Sequence, residues 1–229
     1  MQKFAIFDID GTIFRSSLLI ELMEALIHEG VLPAKTIKAY ADTRSKWLNR
    51  EGSYEDYINA VVCAFELHIK GISVKRLKTI SNQVVARSGK RIYRYTRDLI
   101  KTLHAKNYFL LAISNSPLDI VTPFCKNLGF NKVYARRYET NDKGKFTGKI
   151  QYLDLISDKA KILKRAIVKE NLTLKNSIGI GDSEADIPFL KLVANPICFN
   201  PNQKLYTIAK RRGWKIIVER KDVIYRKIN

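Results

Sequence analysis

The sequence predicts an α/β protein, a Rossmann-like parallel-sheet core interrupted early by an inserted helical segment. Three observations carry that expectation. The apolar run Phe4-Ala5-Ile6-Phe7 stops abruptly at Asp8, as a strand buried on both faces of a parallel sheet does. Residues 15–92 show apolar residues at helical spacing and no strand signal. From Arg94 onward, helix and strand patterns alternate in the rhythm of a parallel sheet with crossover helices. The 229 residues suffice for a main core with a smaller second lobe, divided as 1–14 plus 93–229 and 15–92.

The first strand closes on Asp8-Ile9-Asp10-Gly11-Thr12. A turn explains one acid and a glycine. Two carboxylates at this spacing beside a low-dielectric strand repel each other unless a cation or a proton lies between them. The end of a buried parallel strand is also where open α/β sheets bind ligands. The insert follows as four helical patterns. Leu18, Leu19, Leu22, Met23, Leu26 and Ile27 form the first, ended by Gly30. Ile37, Tyr40, Ala41, Trp47 and Leu48 form the second, after Pro33. The third opens at Ser53-Tyr54-Glu55-Asp56, close to a capping box, and runs to Gly71. The fourth carries Val74, Leu77, Ile80, Val84 and Val85 and ends near Gly89. These stripes read as core of a helical bundle.

The remainder predicts a helix over 95–106 and a buried strand, Phe109-Leu110-Leu111-Ala112-Ile113, ending at Ser114-Asn115-Ser116-Pro117. Pro117 suits the first helical position, with Ser116 or Asn115 as its cap. That helix closes at Gly129, and a short strand follows at Val133-Tyr134-Ala135. A hairpin over 138–150 turns at Asn141-Asp142-Lys143-Gly144. A helix over 157–169 holds Lys159 in its first turn. The strand Ser177-Ile178-Gly179-Ile180-Gly181 ends at Asp182, and a helix containing Asp186 starts near Glu184. Two last strands, Ile197-Cys198-Phe199 and Lys215-Ile216-Ile217-Val218, flank a helix over 204–211.

Three further polar points follow or precede buried runs. Ser114 and Asp182 close strands. Lys159 opens a helix, where a cation opposes the helix dipole and calls for an anionic partner. Net charge is +19, which would suit nucleic acid or an anionic small molecule. The basic residues are spread along the chain, and the densest groups, Arg136-Arg137 and Lys210-Arg211-Arg212, read as solvated faces, so nucleic acid is the minority reading. Cys63, Cys125 and Cys198 match no zinc spacing and suggest buried thiols in a reducing compartment. The N-terminus enters the first strand with no secretory pattern, and no apolar run approaches the ~20 residues of a membrane span. A cytoplasmic protein is the expectation.

Taken in order, Asp8-Ile9-Asp10-Gly11-Thr12, Ser114, Lys159 and Gly181-Asp182 with Asp186 resemble the four motifs of the haloacid dehalogenase superfamily. The helical insert after the first motif is similar to the C1-type cap of its subfamily IB, the phosphoserine phosphatase branch. The stretches Asp142-Lys143-Gly144-Lys145-Phe146-Thr147-Gly148 and Ala194-Asn195-Pro196 through Arg212-Gly213-Trp214 look like that branch too. The resemblance implies a phosphomonoester hydrolase acting on a small, anionic phosphorylated metabolite. It implies Asp8 as nucleophile, forming an aspartyl phosphate, and Asp10 as general acid and base. It implies Mg²⁺ on Asp8, the Asp10 backbone carbonyl and Asp182, with Asp186 behind them. Ser114 and Lys159 would then bind the phosphoryl group. For the acid role Asp10 needs a raised pKa.

The sequence departs from the branch in the insert. Ser17 stands about where phosphoserine phosphatases carry a glutamate for the substrate amine, with Glu21 and Glu24 further along, which argues against phosphoserine. Within the insert, Arg15, Glu21, Arg44 and Trp47 are the candidates to face the site. Arg44 leads them, because a guanidinium on a locally apolar helix could grip a second anionic group. Asp10 argues against a dehalogenase. A mutase or other phosphotransferase would share all four motifs. A basic nucleic-acid- or protein-binding module on an inactive scaffold would be expected to have lost one of the motif residues, and none is lost.

Overall fold

A computed structural model describes residues 1–227. Its centre is an eight-stranded sheet in the order β4-β3-β2-β1-β5-β6-β7-β8. β1 (Gln2–Asp8) lies in the middle, parallel to β2 (Phe109–Pro117) on one side and β5 (Leu172–Gly181) on the other. Its alternation divides the core. Phe4 and Ile6 pack on one face of the sheet, Ala5 and Phe7 on the other, and all four are fully buried. β6 (Asn195–Phe199) and β7 (Lys215–Arg220) extend the parallel sheet beyond β5.

Between β1 and β2 the chain is helical: α1 (Leu18–His28), a 3-10 turn (Ala34–Ala39), α2 (Ala41–Leu48), α3 (Tyr54–His68), α4 (Val74–Ser88) and α5 (Arg94–Ala105). The chain leaves and re-enters through paired segments. The Arg15 N–H donates to the Arg91 carbonyl and the Tyr93 N–H to the Ile13 carbonyl, each at 2.9 Å. One apolar cluster runs unbroken from Phe7 and Ile9 through Leu22 and Phe65 to Leu77, so the insert shares the core of one sheet face. Glu21 is buried inside the insert. It accepts from Ser88 Oγ and Arg91 Nη1 at 2.9 Å each and ties α1 to the end of α4. Arg136 is likewise no solvated cation. It pairs with Glu66 at 2.6 Å and links β3 (Lys132–Thr140) to α3.

β3 and β4 (Phe146–Gln151) form the anticipated antiparallel hairpin. Several elements depart from the sequence reading. β2 continues through Pro117, which occupies the N-cap position of α6 (Leu118–Asn127) instead of its first turn. A short α7 (Leu153–Ile156) precedes α8 (Lys159–Lys169), whose cap is Asp158. After Asp182 there is no long helix but a 3-10 turn (Glu184–Asp186) and one turn of α9 (Ile187–Leu190), with Pro188 at its start. α10 (Gln203–Arg212) is followed, after β7, by β8 (Val223–Lys227), an antiparallel edge strand. Its apolar run is only Val223-Ile224-Tyr225, flanked by Lys221-Asp222 and Arg226, which hid it. The three cysteines are free, and Cys63 is exposed instead of buried because it lies off the α3 stripe of Tyr57, Val61, Ala64 and Phe65. Among the described residues no helix is long and apolar enough to cross a membrane.

Candidate active site

β2, β1 and β5 are neighbours in the sheet, so their C-terminal ends bring Ser114, Asp8 and Asp182 together. Lys159 arrives from the start of α8. It is buried, and its Nζ lies 2.6 Å from both Asp8 Oδ1 and Asp186 Oδ1. The cation at a helix N-terminus thus has two anionic partners. Asp186 is fully buried by folding back on its own loop. Its Oδ2 accepts from the backbone N–H groups of Asp182 and Ser183, at 2.9 and 3.1 Å. Gly181 permits this, since a Cβ there would collide with the Asp186 carboxylate. Gly11 is required twice over. Its φ is +82°, and a Cβ would strike Asp182 Oδ2. Thr12 Oγ1 donates to Asp182 Oδ1 at 3.3 Å.

Asp10 is held by three donors. The Leu18 N–H reaches its Oδ1 at 2.6 Å, and the hydroxyls of Ser114 and Ser116 reach its Oδ2 at 2.8 Å each. Ser114 is therefore engaged with Asp10 in this structure. The sequence reading gives Ser116 only as a candidate helix cap, a place Pro117 takes, and not as a site residue. The signal was available: if the strand continues past Ser114, residues 114 and 116 share one face.

Burial dominates the electrostatics. It pushes Asp8 up to about 8, with Asp186 and Asp10 adding repulsion and Lys159 opposing. Asp182 is raised by burial and by Asp8 and Asp186. Asp10 is raised by burial, against the three hydrogen bonds that favour its ionised form. Burial alone would lower Lys159, but Asp186 and Asp8 outweigh it and hold the lysine protonated. One lysine thus serves a cluster with surplus negative charge. Oxygens of Asp8, Asp182 and Asp186 lie within 4.8 Å of one another, two buried and one half-buried hard donors that fit a divalent cation such as Mg²⁺.

The cluster floors a cavity of about 670 Å³, roofed by the insert. Trp47 of α2 and Tyr54, Ile58, Asn59 and Val62 of α3 line the roof, and Ser17 lines it at the start of α1. At the mouth, Lys204 of α10 contacts Glu184 at 2.7 Å and Glu55 of α3 at 3.6 Å, a clip between core and insert. Of the four insert residues expected to face the site, the structure brings only Trp47 there. Arg44 is exposed and lies beside the Tyr57 side chain, away from the lining. α2 has no buried residue, so its apolar pattern does not orient Arg44 toward the cavity. Arg15 lies over the Tyr93 ring at 5.6 Å, and Glu21 is the internal tie described above.

A buried lysine shared by Asp8 at a strand end and Asp186 in the turn after β5, under a helical insert, is the arrangement that the resemblance to the haloacid dehalogenase superfamily implies. The family model for haloacid dehalogenase-like hydrolases matches residues 5–191, and the chain belongs to that family. A histidinol-phosphatase of Neisseria meningitidis is 27% identical over 228 residues, covering 95% of this chain and 99% of the relative. The phosphoserine phosphatase SerB1 of Mycobacterium tuberculosis is 25% identical over 216 residues, 93% of this chain and 69% of the relative. A solved phosphoserine phosphatase in apo form superposes with a TM-score of 0.63 at 21% identity, covering 97% of this chain and 96% of that one. The chain is thus a hydrolase of the haloacid dehalogenase-like family, with named phosphatases among its relatives.

Proposed function

We propose that this hydrolase cleaves phosphomonoesters through an aspartyl-phosphate intermediate on Asp8, with Mg²⁺ as cofactor. The observation that carries the reading is the pair of carboxylates on one strand end, each in a different environment. Asp8 faces Lys159 at 2.6 Å; burial raises it too, against Lys159, and Mg²⁺ bound beside it would hold it ionised as the nucleophile. Asp10, two residues on, is raised by burial and is suited to give a proton to the leaving oxygen and later to take one from water. Protonated Asp10 must itself donate, so one of the two serine hydroxyls then accepts from it or turns to the phosphoryl group. Lys159 offsets charge on the phosphoryl oxygens. Asp8, the Asp10 backbone carbonyl and Asp182 would hold the metal, and Asp186 would orient Lys159 and the 182–183 backbone. Bound there, Mg²⁺ would neutralise surplus carboxylate and phosphoryl charge. Residues 15–92 act as a cap that excludes water from the intermediate.

Asp8→Asn should abolish turnover of benzyl phosphate, an amide being unable to attack phosphorus, while the circular dichroism spectrum stays that of the parent. Retained turnover in that variant would sink the mechanism.

A further inference from the structure

We infer that the alcohol released by this enzyme carries no second anionic group and presents a flat ring, neutral or cationic, to Trp47 and Tyr54. The inference rests on the phosphatase reading and names its substrate class. The protein as a whole has 41 Lys and Arg against 22 Asp and Glu, yet its cavity inverts that balance. Among the described residues, the lining holds the acids Asp8, Asp10, Glu55, Asp56, Asp182 and Glu184, and no arginine. Its cations are Lys159 and Lys204. Lys159 is committed to Asp8 and Asp186, and Lys204 to Glu184 and Glu55. A substrate carboxylate placed against the roof would lose water without gaining a free cation.

The positive end of α3 faces this wall and could in principle serve an anion. It is already answered: Ser53 caps the helix by accepting from the Asp56 N–H at 3.0 Å, and Glu55 and Asp56 occupy the first turn. Arg44 beside Tyr57 and Arg50 over the Trp47 ring both stand outside the lining.

What the roof does offer is aromatic and polar. Trp47 and Tyr54 meet edge to face, with centroids 5.3 Å apart, and aromatic faces accept rings and cations. Ser17 adds a second, independent signal. It lines the cavity, is 1% exposed, and its Oγ has no hydrogen-bond partner. A hydroxyl in that state at a cavity wall, unlike those of Thr36 and Ser81 elsewhere, is open to a polar atom of a substrate as well as to water. A ring-bearing alcohol with a hydroxyl or amine near the ester satisfies all three features.

The test compares kcat/KM for four alkyl esters with Mg²⁺ present: histidinol phosphate (cationic ring), benzyl phosphate (neutral ring), phosphoserine and 3-phosphoglycerate. Both ring esters should exceed both carboxylate esters at least tenfold. Phosphoserine or 3-phosphoglycerate coming within tenfold of either ring ester overturns the inference alone. No turnover of any of the four overturns the phosphatase reading and the inference with it. Trp47→Ala should raise KM for histidinol phosphate about tenfold more than for ethyl phosphate. An equal rise for both removes the ring from the inferred substrate.

Discussion

The floor and the roof of the cavity are built to different standards. On the floor, three charged groups are fixed by several partners each: Lys159 by two carboxylates, Asp186 by one lysine and two backbone donors, Asp10 by three donors. Its glycines have no tolerated substitute at Gly11, where a positive φ and a close oxygen coincide. On the roof, Ser53, Glu55, Asp56 and Asn59 are exposed, α2 buries nothing, and the Ser17 hydroxyl lacks a partner. The difference separates chemistry from choice. On the proposed reading, the groups that would handle the phosphoryl centre are the more firmly held, while those that would meet the rest of the substrate can change without disturbing the fold.

The largest test of that contrast strikes the floor. Asp10→Asn should lower kcat by roughly 10²–10⁴-fold on every ester, the usual weight of general acid–base catalysis. A loss restricted to one ester would move Asp10 to the selecting face.

A second test sharpens the floor through its proton balance. Asp8, Asp10 and Asp182 all have folded pKa values raised by burial, Asp8 to about 8. Between the ordinary carboxylate range and that value, the metal-free folded chain binds more protons than the unfolded one. The cluster's contribution to stability is therefore lost as pH rises through this window. Lys159 is raised from 10.5 and Glu184 is lowered to about 2, so neither titrates between pH 5 and 8. The Tm of chelator-treated protein should fall from pH 5 to pH 8, and added Mg²⁺ should raise Tm more at pH 8 than at pH 5. An Mg²⁺ effect that is absent, or larger at pH 5, would contradict the acid cluster as the metal site.

The smallest expected effect lies outside the cavity. Arg44→Ala should change kcat/KM less than about twofold on any ester, since surface substitutions away from special features are near neutral. A selective rise in KM for 3-phosphoglycerate would return Arg44 to the roof.

The sequence made the floor legible for a physical reason. Acids, a serine and a glycine at the ends of buried apolar runs are placed by the sheet, and a parallel sheet aligns its strand ends. Ser116 reads from the sequence as a helix cap because the strand pattern stops at Ser114, whereas β2 runs on to Pro117. The roof was hardly legible. Apolar periodicity orients a helix only when it buries a face, and α2 does not, so Arg44 and Trp47 could not be told apart. β8 was missed on similar grounds, its short apolar residues standing among Arg220, Lys221, Asp222 and Arg226.

One hydrogen bond joins the two faces. The Leu18 N–H that reaches Asp10 belongs to the first residue of α1, so a side chain of the first motif serves the insert as its anchor pin. A rigid swing of the insert has two outcomes at that joint: the pin travels with the helix, or the 2.6 Å contact parts. In either case the carboxylate registers the movement. Removing a donor from Asp10 also makes its proton harder to lose. Were the insert to swing as a gate, its position and the acidity of Asp10 would be geared to one another, with no relay of intervening side chains between them.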